Sequence, residues 1–326
     1  MGRPAAPVSP FFSNPALKDT CYFKPDSHFL TFNHTRPNER MYTMKIAIAT
    51  DTTSGLTPQE ARELGVWVLP MPVNIDGREY LETVDLDRDF FFQQLEGGAA
   101  ITTSQPSPGA LTDLWDELLE DHDGVLYLPM TSGLSSSYAT AVTLAQDYDG
   151  RVRVVDTKRI SVLLWQAVLD ARALVERGLS LEEVGSRLEE NALNGSIYIL
   201  PTTLEYLKKG GRVTPAAAAI GTVLNIKPVL QIQGGKIDAF AKVRGMKQAT
   251  EKLFSALDND LATRFAGKPM RIFAAYSGDP SVGEAWKAQM QAHYGDAFVR
   301  IDPLALNICC HTGPGAIALG CAQMEE

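Results

Sequence analysis

Six residues of this 326-residue chain have side chains that could do chemistry together: the hydroxyls Thr103, Ser104, Ser135, Ser136 and Ser137, and the imidazole of His311. Thr103 and Ser104 open the string Thr103-Ser104-Gln105-Pro106-Ser107-Pro108. The three serines close Thr131-Ser132-Gly133-Leu134-Ser135-Ser136-Ser137-Tyr138, and His311 stands in Cys310-His311-Thr312-Gly313-Pro314-Gly315. Three uses fit these types. A serine beside a histidine is a nucleophile beside its base. Hydroxyls in a turn that leads from a strand into a helix lie where open α/β sheets bind ligands. The same hydroxyls also serve as plain helix caps, and a lone histidine as a hydrogen-bonded structural residue. Gly210-Gly211-Arg212 reads on its own as a helix end followed by a solvated arginine.

Missing motifs narrow the chemistry. The chain has no G-x-x-x-x-G-K-[ST] loop, no G-x-G-x-x-G after its first strand, no G-x-S-x-G elbow and no H-E-x-x-H. Only five histidines occur, and His28 and His34 lie far from the other motifs. No cofactor, no metal and no catalytic residue is therefore assigned. A net charge of −9 argues against nucleic acid as partner. No run approaches the ~18 apolar residues of a membrane span, so no integral membrane contact is expected. Cys21, Cys309, Cys310 and Cys321 form no C-x-x-C pair, which points to a reducing, cytoplasmic setting.

The elements that must position these residues alternate strand with helix from Met44 onward, the pattern of a parallel sheet flanked by helices. Strands are expected at Lys45–Thr50, Val66–Leu69, Val125–Pro129 and Val152–Val155. Thr57-Pro58-Gln59-Glu60 and Ser180-x-x-Glu183 are capping boxes, Asp87 caps a helix, and Ser107-Pro108 starts another. Beyond Gly195 the expected elements are a strand at Ile197–Leu200, a short helix at Leu204–Lys208 and another at Ala216–Ala219. A hairpin follows, Val229–Gln233 and Lys236–Phe240 about Gly234-Gly235, then strands Arg271–Ala275 and Phe298–Ile301. Residues after Gly315 read as an apolar tail. Residues 1–43 hold six of the 19 prolines and five phenylalanines without period, and are expected to be a disordered extension. Pro4, Pro7 and Pro10 interrupt any signal-peptide core, and Met44 is a candidate translation start.

Taken in order, Lys45-Ile-Ala-Ile-Ala-Thr-Asp-Thr-Thr-Ser54, Thr103–Ser107, Ser132-Gly-Leu-Ser135 with Tyr138, Leu204–Arg212, Ile226-Lys-Pro228 and His311–Gly315 resemble the DegV family. That family includes the FakB-type fatty-acid-binding subunits of bacterial fatty acid kinase. The resemblance implies an α/β protein of two α/β domains, 44–195 and 196–326, with a ligand tunnel at their interface. It implies a long-chain fatty acid as ligand, its carboxylate held by Thr103 or Ser104, Ser135 and His311, with Ser136 and Thr312 beside them. Ser136 and Ser137 depart from the family's Gly-Thr, so a second hydroxyl competes for the ligand. Arg212 and Arg244 match basic positions near the pocket mouth or against an ATP-dependent fatty acid kinase. The implied role is that of a non-catalytic carrier of fatty acid and acyl phosphate. The alternatives are a Ser/His hydrolase or acyltransferase acting on lipid esters, and a lipid sensor with no kinase partner.

Overall fold

The computed structural model describes residues 44–219 and 226–325, so the extension expected over 1–43 lies outside the described residues. Four apolar runs pair as a parallel sheet: β1 (Ile46–Asp51), β2 (Val66–Leu69), β6 (Gly124–Leu128) and β7 (Val152–Val154), in the order β2-β1-β6-β7. Both faces are covered, which is why these strands are apolar throughout rather than alternating. Ile46, Ile48, Leu126 and Leu128 pack beneath α1 (Pro58–Leu64), α5 (Val162–Glu176) and α6 (Leu181–Glu190). Ala47, Ala49, Val125 and Tyr127 pack beneath α3 (Pro108–Asp121) and α4 (Ser137–Ala145). Both expected capping boxes form, and Ser107 and Asp87 cap α3 and α2 (Arg88–Glu96). A small antiparallel sheet, order β4-β3-β5, joins β3 (Pro72–Ile75), β4 (Arg78–Leu81) and β5 (Ile101–Thr103).

The second unit is built on six strands in the order β10-β9-β8-β13-β11-β12. They are β8 (Gly195–Leu200), β9 (Ile226–Ile232), β10 (Asp238–Arg244), β11 (Met270–Tyr276), β12 (Phe298–Pro303) and β13 (Ile317–Gln323). Only β11 and β12 run parallel. Tyr198, Leu200 and Leu319 face a layer holding α9 (Met246–Ala262) and α10 (Pro280–Tyr294), with Leu253 and Trp286 buried in it. Ile197, Ile199, Phe273 and Ala318 face the other way, into an apolar layer shared with Val73, Phe91 and Ile160 of the first unit. The shorter helices α7 (Glu205–Gly210), α8 (Pro215–Ala218) and α11 (Leu306–Thr312) ring that layer. The hairpin is longer than expected, and the apolar tail is a central strand. β13 lies between β8 and β11, and at Gly320 the backbones come so close that a Cβ would sit 2.6 Å from the Ser196 carbonyl oxygen.

A buried carboxylate ties the units together. Glu82, only 4% exposed, accepts from the Leu306 amide at the start of α11 and from Thr52 Oγ1 at 3.2 Å. Burial pushes this carboxyl from 4.5 up to about 7, against the pull of the amides, Thr52 and Arg88. Folding therefore favours the protonated form. The stability this group contributes is complete below about pH 4.5 and is lost as pH rises through 7. Glu82→Gln is expected to raise the Tm by roughly 5 °C at pH 8 and to leave it near wild type at pH 5, by calorimetry. A lower Tm at pH 8 would mean that the ionised carboxylate is net favourable.

Candidate functional site

Between the units lie two adjoining pockets, an outer limb of mixed polar and apolar lining and an inner limb that is apolar. The outer limb, of about 200 Å³, is lined by Thr103, Ser104, Ser135, Ser136, Arg212 and His311 among others. The inner limb, of about 50 Å³, is lined by Leu163, Ile197, Ile199, Phe273 and Ala318 among others. Leu134, Ile160, Ile237, Ile308 and Thr312 border both, so the outer chamber and the apolar slot share a wall of side chains.

Local structure explains why the hydroxyls are available. Ser107 caps α3 through the Ala110 amide at 3.1 Å, which relieves Thr103 and Ser104 of that task. Thr103 ends β5, opposite Val73, and the Ser104 amide donates to the Pro72 carbonyl at 3.3 Å. Ser136 holds the N-cap position of α4 but makes no cap bond; it donates to Gln105 Oε1 at 2.9 Å. Ser135 Oγ lies 2.7 Å from Ser137 Oγ and accepts from the Ser137 amide at 3.1 Å, so it braces its own turn as well as facing the cavity. Hairpin residues Gly234 and Gly235 press on this turn: a Cβ on Gly133 would lie 2.5 Å from the Gly235 carbonyl carbon.

His311 comes from α11 in the second unit, and its Nε2 is 2.9 Å from Thr103 Oγ1 in the first. The ring lies against Gly210, where a Cβ would sit 2.1 Å from Nδ1. That Nδ1 is buried without a hydrogen-bond partner among the described residues. Burial, and then the nearby Arg212, hold the imidazole down to about 4, so it is neutral at pH 7. Arg212 Nη1 donates to the Gly210 carbonyl at 2.5 Å while the guanidinium lines the polar limb. Thr312 borders both limbs, with its hydroxyl directed to the Ile308 carbonyl at 3.3 Å. Arg244 is elsewhere, exposed at the end of β10 and lining neither limb.

Met71, Gln105, Met130 and Asn307 are among the lining residues given no role from the sequence. The Gln105 amide joins the two hydroxyl-bearing turns by donating to Thr140 Oγ1 at 3.0 Å and accepting from Ser136. Asn307 stands four residues before His311, so a helix there would have pointed to it. Hydroxyls, a neutral imidazole and one guanidinium make a site suited to an anionic head group. They do not make a Ser-His-acid array: the hydroxyl on His311 is Thr103, and Nδ1 meets no carboxylate. Burial pushes the Cys309 and Cys310 thiols up to about 12 and about 11, away from nucleophilic use. Among the described residues no cluster of His, Cys, Asp or Glu could hold a metal, and no helix is long and apolar enough to cross a membrane.

The family model described as "Uncharacterised protein, DegV family" matches residues 45–323. A "DegV domain-containing protein" of Deinococcus radiodurans is 33% identical over 277 residues, 85% of this chain and 98% of that one. A solved structure described as fatty acid binding of a DegV family protein from Thermus thermophilus superposes with a TM-score of 0.77 at 36% identity. It covers 86% of this chain and 100% of that one. The structure of "DegV, a fatty acid binding protein from Bacillus subtilis" gives 0.76 at 26% identity, covering 86% and 99%. The shared fold is one of two α/β domains.

Proposed function

The chain belongs to the DegV family, and on that premise we propose that it binds a long-chain fatty acid between domains 44–195 and 196–326. The observation that carries this reading is the pair of adjoining limbs between the domains, one bearing hydroxyls, His311 and Arg212 and the other apolar. Burying ~14 methylenes at about 0.8 kcal/mol each supplies on the order of 11 kcal/mol before association losses, so the acyl chain sets affinity. Lodging them requires the side chains around the inner limb to part. An ionised carboxylate costs several kcal/mol to sequester unless hydrogen-bonded. Thr103, Ser104, Ser135 and His311 offset that cost and fix direction, with Ser136 and Thr312 alongside.

In this reading the protein is a non-catalytic, cytoplasmic carrier. It presents the carboxylate to a separate ATP-dependent fatty acid kinase and takes the acyl phosphate onward. Nucleotide chemistry then belongs to the partner, which accounts for the missing phosphate loop. Arg212 at the polar limb and the exposed Arg244 are proposed to face that partner. Enclosing the head would shield a hydrolysable acyl phosphate from water.

Two measurements test the proposal. Titration calorimetry should show one hexadecanoate bound per chain, and a fluorophosphonate probe should leave Ser104 and Ser135 unlabelled. Stoichiometric labelling of either serine would favour a Ser/His hydrolase or acyltransferase. For the kinase step, the lipid-loaded protein should retain an ATP-binding partner from its own cells; hexadecanoate binding without such a partner would leave a lipid sensor.

A further inference from the structure

We propose that Asn307 tunes this site to fatty acids that carry a hydroxyl close to the carboxylate. The inference rests on the fatty-acid reading and names its substrate class more narrowly. Asn307 lies in the first turn of α11, is only 3% exposed, and lines the polar limb. Its Oδ1 is buried with no hydrogen-bond partner among the described residues. The backbone here is held at the Glu82 carboxylate, which accepts from the Leu306 amide and lies 3.5 Å from the Asn307 amide. Asn307 is one helical turn, about 6 Å, before His311 and on the same face.

An unsubstituted acid brings only a carboxylate, and the fatty-acid reading gives that group to Thr103, Ser104, Ser135 and His311, which line the same limb. Elsewhere such a ligand is methylene, which leaves the buried Asn307 Oδ1 unpaired, an unfavourable arrangement. Met71 and Met130 share this limb and offer the amide no strong partner. A hydroxyl both donates and accepts, so it pairs with either end of the amide, whichever way the group is turned. One turn of separation from His311 puts that hydroxyl within the first few carbons of the chain.

The test compares hexadecanoate with both enantiomers of 3-hydroxyhexadecanoate by titration calorimetry, on the wild type and on Asn307→Leu, which keeps the branched shape and removes the polar group. The wild type should bind one enantiomer about three- to ten-fold tighter than hexadecanoate. In the variant that ratio should fall to one or below. Because the wild-type ratio needs no variant, the test survives a misfolded Asn307→Leu. Hexadecanoate bound with no hydroxyl preference, or a preference unchanged in Asn307→Leu, overturns this inference alone. Failure of every acid to bind the wild type overturns the fatty-acid reading with it.

Discussion

Ala318→Phe is expected to weaken hexadecanoate binding by about three orders of magnitude and to move the preferred chain length down. Ala318 is 7% exposed, sits on β13 and lines the inner limb, whose volume is only about 50 Å³. A phenyl ring there takes the space that terminal methylenes need. At about 0.8 kcal/mol per methylene, excluding five costs about 4 kcal/mol, close to a thousandfold in Kd. Calorimetry across acids of eight to eighteen carbons reads this directly. Long chains should lose most and the shortest least. The Ala318 carbonyl, which accepts from Trp286 Nε1 at 2.9 Å, is a backbone group and stays in place. Overpacking of a filled core would instead lower the Tm through 1–3 kcal/mol of strain, roughly, with no change in chain-length preference. Unchanged hexadecanoate affinity would mean that the acyl chain lies elsewhere.

Gly210→Ala should disable the head-group end without removing a polar atom. Gly210 ends α7 outside the left-handed region, so alanine suits its backbone. Its new Cβ would fall 2.1 Å from His311 Nδ1, which forces the ring away and breaks the 2.9 Å contact with Thr103. Losing a hydrogen bond to a charged head is expected to weaken hexadecanoate by about ten- to a hundred-fold. The displaced ring should also regain solvent, so its titration, read by NMR, should climb from about 4 toward 6.5. His311→Ala should cause a similar loss, and the double variant no further one. Normal binding with the imidazole still titrating near 4 would contradict the assignment of His311.

What the sequence disclosed, it disclosed through local rules. Thr57 with Glu60 and Ser180 with Glu183 announced two helix starts because a capping box is contained within four residues. Ser107-Pro108 announced the start of α3 in the same way, whereas for Thr103 and Ser104 capping stayed open until the structure gave that task to Ser107. Elements specified by distant partners were harder to read. β13 is Ile-Ala-Leu-Gly-Cys-Ala-Gln, without alternation, and is a strand because β8 and β11 flank it. α11 has seven residues and no side-chain cap, so nothing local marked it. Asn307 and Glu82 share that origin, since both gain their settings where α11 meets the first domain. The second sheet is largely antiparallel, although its strands also alternate with helices. Family resemblance grouped Arg212 with Arg244, yet only Arg212 lines the cavity.

Native mass spectrometry of the freshly purified protein tests the central claim most directly. A single adduct with the mass of one long-chain fatty acid is expected on the wild type, absent from Ala318→Phe. A wild-type chain that carries no lipid and stays unloaded after incubation with hexadecanoate or oleate would contradict the account.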